Sequence, residues 1–551
     1  MITKKTSVIV MSFVLIAVVV GLTFFFKQQQ RPAASAPAGP RNFVVIHTGD
    51  DDAAIVRKAA AVAPSPAQMD WQAREFIAFA HFGMNTFTDR EWGQGTEDPK
   101  LFNPTDFDAR QWVRAVKDGG MKMLIVTAKH HDGFCLWPSA LTEHSVKNSP
   151  WKGGTGDVVA EVSAACREEG LAFGVYLSPW DRHEPSYGDS PRYNEHFRGQ
   201  LRELLTNYGP IAEVWFDGAN GEGPNGKRQV YDWPSYYKVI RELQPQAVIF
   251  GMAPDVRWVG TESGYGRETE WSVVPADVPD PAAIAASSQQ HPLDGTFKPK
   301  DFTNDDLGGL EKIAAAKALV WYPAETDVSI RPGWFYHAKE DAQVKTPEKL
   351  VDIYFSSVGR NGVLLLNIPP DKRGRITDFD VAALRGMRRI LDETFKTDLA
   401  AGAVVRVSSE DAAHSGAALV RGSYPRPSTA ENDPQAKPGD PPAAAVDGDA
   451  KTYWSPKEDG GASWIECDLG GDNTFDCAML QENIGLGQHV EEFKLEGLSG
   501  GEWKEIAKGT TIGYKRLLRF PEVTAARVRL TIDRTRARPA LSHFGLYRMA
   551  K

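Results

Sequence analysis

Short apolar runs alternate with longer amphipathic stretches between about Trp71 and Leu391. The runs have the length and composition of buried strands, and the stretches between them have helical spacing. Near-continuous apolar strands indicate a parallel sheet covered on both faces. Six or more such units in one domain favour a (β/α)₈-like TIM barrel over an open sheet. The predicted strands are Phe76–Ala80, Lys122–Ala128, Ala172–Ser178, Ala212–Asp217, Ala247–Gly251 and Gly362–Asn367, and the predicted helices include Asp108–Asp118, Asp157–Glu169 and Tyr193–Tyr208.

The pattern changes after about Phe395. From Val404 to Tyr547, short alternating segments separated by turn residues replace the helical periodicity. This alternation predicts an all-β sandwich. The proline-rich stretch Pro425–Pro442 follows the first of these segments and is interpreted as an insertion loop of the sandwich. The predicted organisation is a terminal segment over 1–40, a barrel over 41–395 and a sandwich over 400–551.

The N-terminus predicts export. Lys4 and Lys5 precede an uncharged apolar run from Thr6 to Phe26. About 20 apolar residues span a bilayer, whereas the core of a signal peptide has about 7–15, so the run favours an uncleaved anchor. Ala34-Ser35-Ala36 offers the alternative of a cleavage site, although Pro37 follows it. With either outcome the positive residues stay in the cytoplasm, and residues 28–40 form a tether to a secreted, periplasmic or outward-facing protein.

Composition narrows the function. Hydrophobic residues make up 42% and charged residues 25% of the 551 residues, as in soluble globular proteins. The net charge of -9 argues against a nucleic-acid partner, which would require a basic surface. The four cysteines have no zinc-ligand spacing, and Cys467 and Cys477 are either a disulfide or two buried thiols. The 15 tryptophans belong either to cores or to a site that stacks on sugar rings.

Polar side chains follow four consecutive predicted strands. His81, the His130-His131 pair and Trp180-Asp181 each lie within three residues of the end of a predicted strand, and Asp217 ends the fourth. Taken singly, such a histidine is more often a hydrogen-bonded structural group, and such an aspartate is often a helix N-cap. Because catalytic side chains of TIM barrels lie at the carboxyl ends of the strands, four together predict an active site.

Two carboxyl groups in this region suit glycoside cleavage. A retaining glycosidase needs a nucleophile and a general acid about 5–5.5 Å apart. Asp217 is the candidate nucleophile, and Glu262, in the segment Arg257–Gly264, is the candidate acid. Glu268 and Glu270 are the alternatives for the acid. The nearby charge of the nucleophile would raise the pKa of the acid.

The stretch Gly497–Gly501 matches the G-x-S-x-G pattern of serine hydrolases. That nucleophile elbow requires a strand before it and a helix after it. Here a predicted strand lies on each side, so the stretch is predicted to be a hairpin turn. The histidines show no familiar zinc spacing, and no metal is predicted in the barrel.

Several motifs between about residues 65 and 395 resemble the family 29 glycoside hydrolases, the α-L-fucosidases. They are Phe79–Phe87 with Glu91-Trp92, Thr127–Ser139, Gly174–His183, Val214–Gly221 and Gly362–Asp371. The resemblance implies that Asp217 is the nucleophile and that no cofactor is required. It also implies a fucose pocket in which Trp334 packs on the methyl side of the sugar; the other lining residues are His81, Glu91, Trp92, His130, His131 and, from the loop at the mouth, Trp180.

The segment Arg257–Gly264 resembles the branch of that family that cleaves α-1,3- and α-1,4-linked fucose from branched, Lewis-type glycans. In that branch the acid/base is the glutamate after a Gly-Asn pair; here Thr261 replaces the asparagine and Glu262 keeps its place. The resemblance therefore implies a retaining exo-α-L-fucosidase acting on fucosylated oligosaccharides or glycoconjugates. The loop Trp180–His183 is predicted to hydrogen-bond the sugar beside the fucose.

Two other functions stay open at this point. One is a catalytically idle, fucose-binding surface protein, against which the presence of both Asp217 and Glu262 argues. The other is a retaining glycosidase for another sugar, such as an α-L-galactoside, against which the histidine-rich pocket and Trp334 argue.

The C-terminal part resembles the discoidin-type, galactose-binding-like sandwich. The resemblance rests on Val446–Asp449 with Thr452–Trp454, on Trp464–Gly470 and on the closing stretch Arg527–Tyr547. Such domains bind sugar or a structural calcium ion, or they only support the catalytic domain. All of these roles remain possible for this sandwich.

Overall fold

The computed structural model describes residues 42–251, 254–276, 304–408, 442–457 and 462–550. The predicted N-terminal anchor and nearly all of the stretch Pro425–Pro442 lie outside these residues. Within the described ranges, no helix combines the length and the apolar character needed to cross a bilayer.

Eight parallel strands form the barrel, and they follow one another around it in chain order. A parallel bridge between Phe250 and Val256 brings the two ends of the sheet together. The expected TIM-like fold is thereby confirmed. The strands are β2 (Phe76–Ala80), β3 (Met123–Lys129), β4 (Ala172–Leu177), β5 (Glu213–Trp215), β6 (Val248–Phe250), β7 (Arg257–Trp258), β10 (Ala324–Ser329) and β11 (Val363–Asn367). Beside the barrel, β1 (Phe43–Val45), β9 (Ala318–Trp321) and β8 (Val273–Pro275) form an antiparallel sheet in that order.

Helices connect most of the barrel strands. The side chains of Asp108 and Asp157 cap two of them by accepting hydrogen bonds from the backbone N–H groups of Gln111 and Ala160. No described helix lies between β6 and β7, which are only a few residues apart. The helices are α1 (Asp52–Ala60), α2 (Pro66–Gln72), α3 (Met84–Thr88), α4 (Ala109–Asp118), α5 (Val158–Glu168), α6 (Ser190–Asn207), α7 (Trp233–Leu243), α8 (Leu310–Ala314), α9 (Pro347–Ser357) and α10 (Asp378–Thr394).

Two fully buried carboxyl groups face each other inside the barrel. Trp71 Nε1 donates to Glu213 Oε2 at 2.8 Å, and Trp215 Nε1 donates to Glu325 Oε1 at 2.9 Å. The other oxygen of each carboxyl group has no partner unless a proton lies between them. Burial raises the pKa of Glu213 to about 7, and burial together with the charge of Glu213 raises that of Glu325 well above its usual value. The pair therefore keeps a proton at neutral pH.

This pair predicts a pH-dependent stability. Both folded-state pKa values exceed the unfolded value of about 4.3, so the contribution is fully present below that pH and is lost as pH rises through about 7 and beyond. Glu325→Gln supplies a permanent donor in place of the proton. We expect its thermal midpoint to fall less between pH 5 and pH 8 than that of the wild type, by several degrees. The control is Glu502→Gln, an exposed carboxyl. Equal slopes for Glu325→Gln and wild type would show that no proton is shared.

The C-terminal domain is the predicted antiparallel sandwich. The hairpin between the strands Val490–Ser499 and Glu502–Gly509 turns at Gly500 and Gly501, with φ of 62° and 87°, as a two-residue turn with positive φ at both positions requires. This confirms that the Gly497–Gly501 stretch is not a hydrolase elbow. The strands are β12 (Val404–Val407), β13 (Ser463–Glu482), β14 (Val490–Ser499), β15 (Glu502–Gly509), β16 (Arg516–Thr535) and β17 (Leu541–Tyr547).

Cys467 and Cys477 are buried free thiols. They lie ten positions apart on the single long strand β13, rather than on two neighbouring strands. An extended strand rises about 3.3 Å per residue, which separates the two thiols far beyond the reach of a disulfide.

The sandwich contacts the barrel segment that follows Glu262. Gln488 accepts from the backbone N–H of Ser272 at 2.8 Å and donates to the carbonyl oxygen of Glu270 at 3.0 Å. The buried Arg516 donates to the carbonyl oxygen of Glu268 at 2.7 Å. These contacts are those of a supporting domain. They do not test the alternatives of sugar or calcium binding.

Candidate active site

Aromatic and imidazole rings from several strand ends meet at the carboxyl end of the barrel. His81 follows β2, and His130 and His131 follow β3. Their rings contact one another and the tryptophans that the sequence placed here. The distances between ring centroids are 4.1 Å for His130–His131, 5.0 Å for His81–Trp334, 5.2 Å for Trp92–His131, 4.9 Å for His131–Trp180 and 5.3 Å for Trp92–Trp180.

Hydrogen-bond partners assign the proton positions of His81 and His131. His81 Nδ1 donates to Asn367 Oδ1 at 2.9 Å, because the amide nitrogen of Asn367 is used by Ser329 and by the carbonyl oxygen of Trp334. His131 Nδ1 donates to Ser178 Oγ at 2.7 Å, since that hydroxyl itself donates to the carbonyl oxygen of Trp180. Both histidines therefore present an unprotonated Nε2, which can accept a hydrogen bond from a hydroxyl group.

His130 has the opposite tautomer. Asn85 Nδ2 donates to His130 Nδ1 at 3.3 Å, which leaves the proton on Nε2. Burial lowers the pKa of all three histidines, that of His81 to about 3, so they stay neutral. The pocket thus offers one neutral donor and two neutral acceptors, a set that suits the hydroxyl groups of a sugar.

Asp217 lies just beyond β5 with its side chain 26% exposed. Its Oδ1 accepts from the backbone N–H of Ala219 at 2.7 Å, and its Oδ2 accepts from Tyr176 Oη at 3.1 Å. His131 Nε2 lies 3.9 Å from the same Oδ2. The carboxylate is therefore held in a fixed orientation at the pocket surface, and it remains partly accessible.

Glu262 and Trp334 meet across the mouth. Trp334 Nε1 donates to Glu262 Oε2 at 3.2 Å, and both side chains are half-buried. Trp334 also touches His81, so this hydrogen bond ties Glu262 to the pocket. Glu262, the predicted acid, lies on the loop after β7, and Asp217, the predicted nucleophile, lies on the loop after β5. Both loops are at the carboxyl end of the barrel.

Glu268 and Glu270 are engaged elsewhere. Glu270 is 1% exposed and is paired with Arg257 and Arg267. Glu268 is paired with Arg360 and Arg516. Both carboxylates serve structural ion pairs, whereas Glu262 hydrogen-bonds a pocket residue.

Glu91 positions a loop of the pocket wall. Its two oxygens accept from the backbone N–H groups of Trp334 and Phe335 at 2.8 and 3.1 Å, and its Oε1 lies 2.7 Å from His337 Nε2. The side chain remains 38% exposed. Glu91 therefore fixes the backbone that carries Trp334. Its predicted role in lining the fucose pocket stays a prediction.

In the loop Trp180–His183, after β4, the side chains of Asp181 and Arg182 form hydrogen bonds within the protein. Asp181 is 2% exposed, and its oxygens accept from Lys129 Nζ at 2.8 Å and from the backbone N–H groups of His183 and Glu184 at 2.9 Å. Burial would raise the pKa of Asp181, but the charge and hydrogen bond of Lys129 outweigh it and hold the pKa at about 2. Arg182 donates to the carbonyl oxygen of Gly93 at 2.5 Å. The carboxylate of Asp181 is therefore used to hold the loop together, and the prediction that the loop Trp180–His183 hydrogen-bonds the sugar beside the fucose stays a prediction.

Across the described ranges, no group of three or more His, Cys, Asp or Glu side chains is arranged to hold a metal ion. The calcium ion proposed for the C-terminal domain stays a prediction.

Comparison with known proteins identifies the family. The sequence profile described as "Alpha-L-fucosidase" matches residues 59–394, and the one described as "F5/8 type C domain" matches residues 427–543. Alpha-L-fucosidase 1 of Arabidopsis thaliana is 41% identical over 488 residues, which cover 88% of this chain and 87% of the relative. The chain belongs to the alpha-L-fucosidase family.

Solved structures agree with this assignment. A Ruminococcus gnavus GH29 fucosidase in complex with fucose is 32% identical, with a TM-score of 0.74 over 94% of this chain and 98% of that chain. The crystal structure of SpGH29 is 37% identical, with a TM-score of 0.75 over 89% of this chain and 98% of that chain. The alpha-L-fucosidase fold thus extends through both the barrel and the sandwich.

Three residues of this alpha-L-fucosidase site were not predicted. Tyr176 donates to the candidate nucleophile, Asn367 orients His81, and Asp327 lies in the barrel 2.7 Å from Trp258 Nε1. Tyr176 lies within a predicted strand, and Asn367 is the last residue of another. Because every second residue of a strand faces the same side, the strand pattern could have identified both as inward-facing residues. Asp327 lies on β10, which the apolar-run criterion missed.

Proposed function

We propose that this member of the family is a retaining exo-α-L-fucosidase in which Asp217 is the nucleophile and Glu262 is the acid/base. The observation that carries the proposal is the position of the two carboxyl groups around a ring-lined pocket, with Asp217 held by Tyr176 and Ala219 and Glu262 held by Trp334.

The reaction then has two steps. Asp217 attacks the anomeric carbon while Glu262 gives its proton to the leaving oxygen, which forms a fucosyl ester and releases the aglycone. Glu262 next takes a proton from water, and that water cleaves the ester and restores Asp217. The neutral histidines orient the hydroxyl groups without adding charge to the pocket.

The proposed substrate is terminal fucose in α-1,3 or α-1,4 linkage in branched, Lewis-type glycans. The support is the resemblance of Arg257–Gly264 to the branch with that specificity, with Thr261 in the place of the usual asparagine. Thr261 Oγ1 lies 2.6 Å from Ser263 Oγ, so the two hydroxyl groups brace the loop on either side of Glu262.

The apolar run near the N-terminus supports a further proposal about location. Because Lys4 and Lys5 precede it, we infer export, with the catalytic domain either released or tethered on the outer side of the membrane. Fucosylated glycans outside the cytoplasm are then its substrates.

The role of Glu262 as acid/base is tested by how strongly the activity of Glu262→Gln depends on the leaving group of the substrate. Glu262→Gln should lower kcat/KM for a fucosylated oligosaccharide by roughly 10²–10⁴-fold, because the sugar alcohol leaves only when protonated. For an aryl fucoside with an acidic leaving group, kcat/KM should change little, and kcat should fall because the second step lacks its base.

The matched control is Glu268→Gln, a half-exposed carboxylate of the same segment. It should retain both activities. The acid is misassigned if Glu268→Gln shows the leaving-group dependence and Glu262→Gln does not.

A further inference from the structure

A loop between β10 and the short helix Ala338–Gln343 carries Trp334, and polar contacts hold it at both ends. At its start, the buried guanidinium of Arg331 donates to the two carboxyl oxygens of Asp380 at 3.0 Å each. At its end, His337 contacts two carboxylates that follow α3. The two-step reaction assigns no role to this histidine.

Both ring nitrogens of His337 face a carboxylate oxygen. Nδ1 lies 2.6 Å from Asp89 Oδ1, and Nε2 lies 2.7 Å from Glu91 Oε1. A neutral imidazole carries a proton on only one nitrogen, so its other lone pair would point at a negatively charged oxygen. The doubly protonated imidazolium satisfies both contacts. The geometry thus indicates that His337 is a cation bound between two carboxylates.

The charged groups around His337 favour this cation. Burial would lower the pKa of His337, but the hydrogen bonds to Asp89 and Glu91 outweigh it and, with the charge of Glu340 on the following helix, raise that pKa above its ordinary value. The hydrogen bond from His337 in turn lowers the pKa of Asp89. The lysines whose charges lower the pKa of Asp89 in the same direction are Lys339 and Lys372.

Glu91 connects His337 to Trp334. Besides facing His337, its two oxygens accept from the backbone N–H groups of Trp334 and Phe335. The indole N–H of Trp334 then donates to Glu262 Oε2 at 3.2 Å. A continuous chain of contacts therefore runs from His337 to the proposed acid/base.

We propose that His337, as the cation that joins Asp89 to Glu91, is a positioning residue for Trp334 and, through the Trp334 indole, for Glu262. This inference rests on the proposed role of Glu262. Loss of the proton from His337 leaves one of the two carboxylates without its donor, so Glu91 and the backbone that it holds are less firmly placed. His337 itself touches no reacting atom.

The sign of the pH dependence follows from the raised pKa of His337. The folded-state value exceeds the unfolded value of about 6.5, so the support for Trp334 is fully present below that pH. It is lost as pH rises through the folded-state pKa.

Asp89→Asn removes one charge beside His337 with little effect on the backbone. Asp89 has a left-handed conformation with φ of 58° and ψ of 46°, which asparagine tolerates, and its side chain is 59% exposed. The amide oxygen can still accept from His337 Nδ1. We expect the midpoint of His337 protonation to fall by about one pH unit or more. The matched control is Asp106→Asn, an exposed carboxylate that pairs with Arg375, and it should leave the midpoint unchanged.

Nitrogen NMR of the full-length protein measures this midpoint, and the indole N–H resonance of Trp334 reports on the loop. His337→Gln and Trp334→Phe assign the two signals. In the wild type we expect His337 to be mostly doubly protonated at about pH 6.5, where an ordinary histidine is half neutral, and the Trp334 resonance to change with the same midpoint. In Asp89→Asn both changes should move together to lower pH. A mostly neutral His337 at that pH, or a Trp334 resonance that does not follow His337, would overturn the proposal.

Activity supplies a readout that a merely structural role would not give. His337→Gln can donate to only one of the two carboxylates. Because a displaced Glu262 harms chiefly those substrates whose leaving group needs a proton, we expect kcat/KM for a fucosylated oligosaccharide to fall about ten-fold or more beyond the fall for an aryl fucoside with an acidic leaving group. Equal losses on both substrates would count against the proposal. In Asp89→Asn the ratio of the two kcat/KM values should begin to fall at lower pH than in the wild type, which keeps the test available if His337→Gln does not fold.

The variant Glu262→Gln separates this inference from the proposed function. Its Trp334 resonance should keep the step that follows His337, since that step does not depend on ionisation of Glu262. Disappearance of the step would show that the resonance reported Glu262 alone and would refute the inference. Normal activity of Glu262→Gln would instead contradict the acid/base assignment, and the link between His337 and Trp334 would still be decided by the NMR titration.

Discussion

Replacing Asp217 with alanine is expected to lower kcat on an aryl α-L-fucoside by at least about 10³-fold while the protein stays folded. The carboxylate is partly exposed, and its loss removes two hydrogen bonds, from Ala219 and Tyr176, without opening the barrel core. Alanine is preferred to asparagine because an asparagine before Gly218 deamidates and regenerates aspartate.

Azide makes this test specific. In Asp217→Ala it can occupy the space of the missing carboxylate and attack the anomeric carbon directly, which gives a β-L-fucosyl azide. In Glu262→Ala it attacks the fucosyl ester instead, which gives the α-anomer. The control is Glu222→Ala, a carboxyl of the same loop outside the proposed machinery, and it should retain normal kcat. Near-normal turnover by Asp217→Ala, or the same azide anomer from both catalytic variants, would contradict the assignment.

Selectivity for branched substrates is the second large expected effect. A Lewis-type trisaccharide places a galactose beside the fucose, and binding energy from that remote sugar can be used in the transition state. A site that hydrogen-bonds a hydroxyl group discriminates by about 10⁴-fold when the group is missing. We therefore expect kcat/KM on a branched α-1,4-fucosylated trisaccharide to exceed that on 2'-fucosyllactose by about this factor.

The matched comparison uses the α-1,4-linked fucosyl disaccharide that lacks only the galactose. A large loss of kcat/KM for the disaccharide would place the selectivity in contacts to galactose. Comparable rates on all three compounds would mean that the loops only cover the pocket. A double substitution of Asp181 and Arg182 is unsuitable, because Asp181 is the partner of the fully buried Lys129 and its removal would disturb the loop itself.

Sequence patterns predicted six of the eight barrel strands, because those strands lie in mostly apolar runs. The two missed strands lack that signature. β7 has only two residues, and β10 reads Ala-Glu-Thr-Asp-Val-Ser, with two acidic side chains in the barrel interior. A buried acidic residue looks like a loop residue in a sequence. Only the tertiary partners Trp215 and Trp258, from other strands, show how it is accommodated.

The predicted site residues were recognisable because strand ends of a barrel converge. His81, His130 and Asp217 meet although more than 130 positions separate the first from the last. The partners of these side chains were harder to predict from the sequence. Asp181, like Asp217, lies close to the end of a predicted strand. Its partner Lys129 lies two positions before His131 and gave no separate signal. The sequence cannot show which polar group a buried cation will pair with.

The central claim is cleavage with retention by Asp217 and Glu262, and the anomer of the first-formed fucose tests it most directly. Proton NMR of the wild-type enzyme acting on an aryl α-L-fucoside should show α-L-fucose appearing first, followed by slower conversion to the equilibrium mixture of anomers. Initial appearance of β-L-fucose would contradict the account, because it would require direct attack by water and leave no role for a fucosyl ester on Asp217.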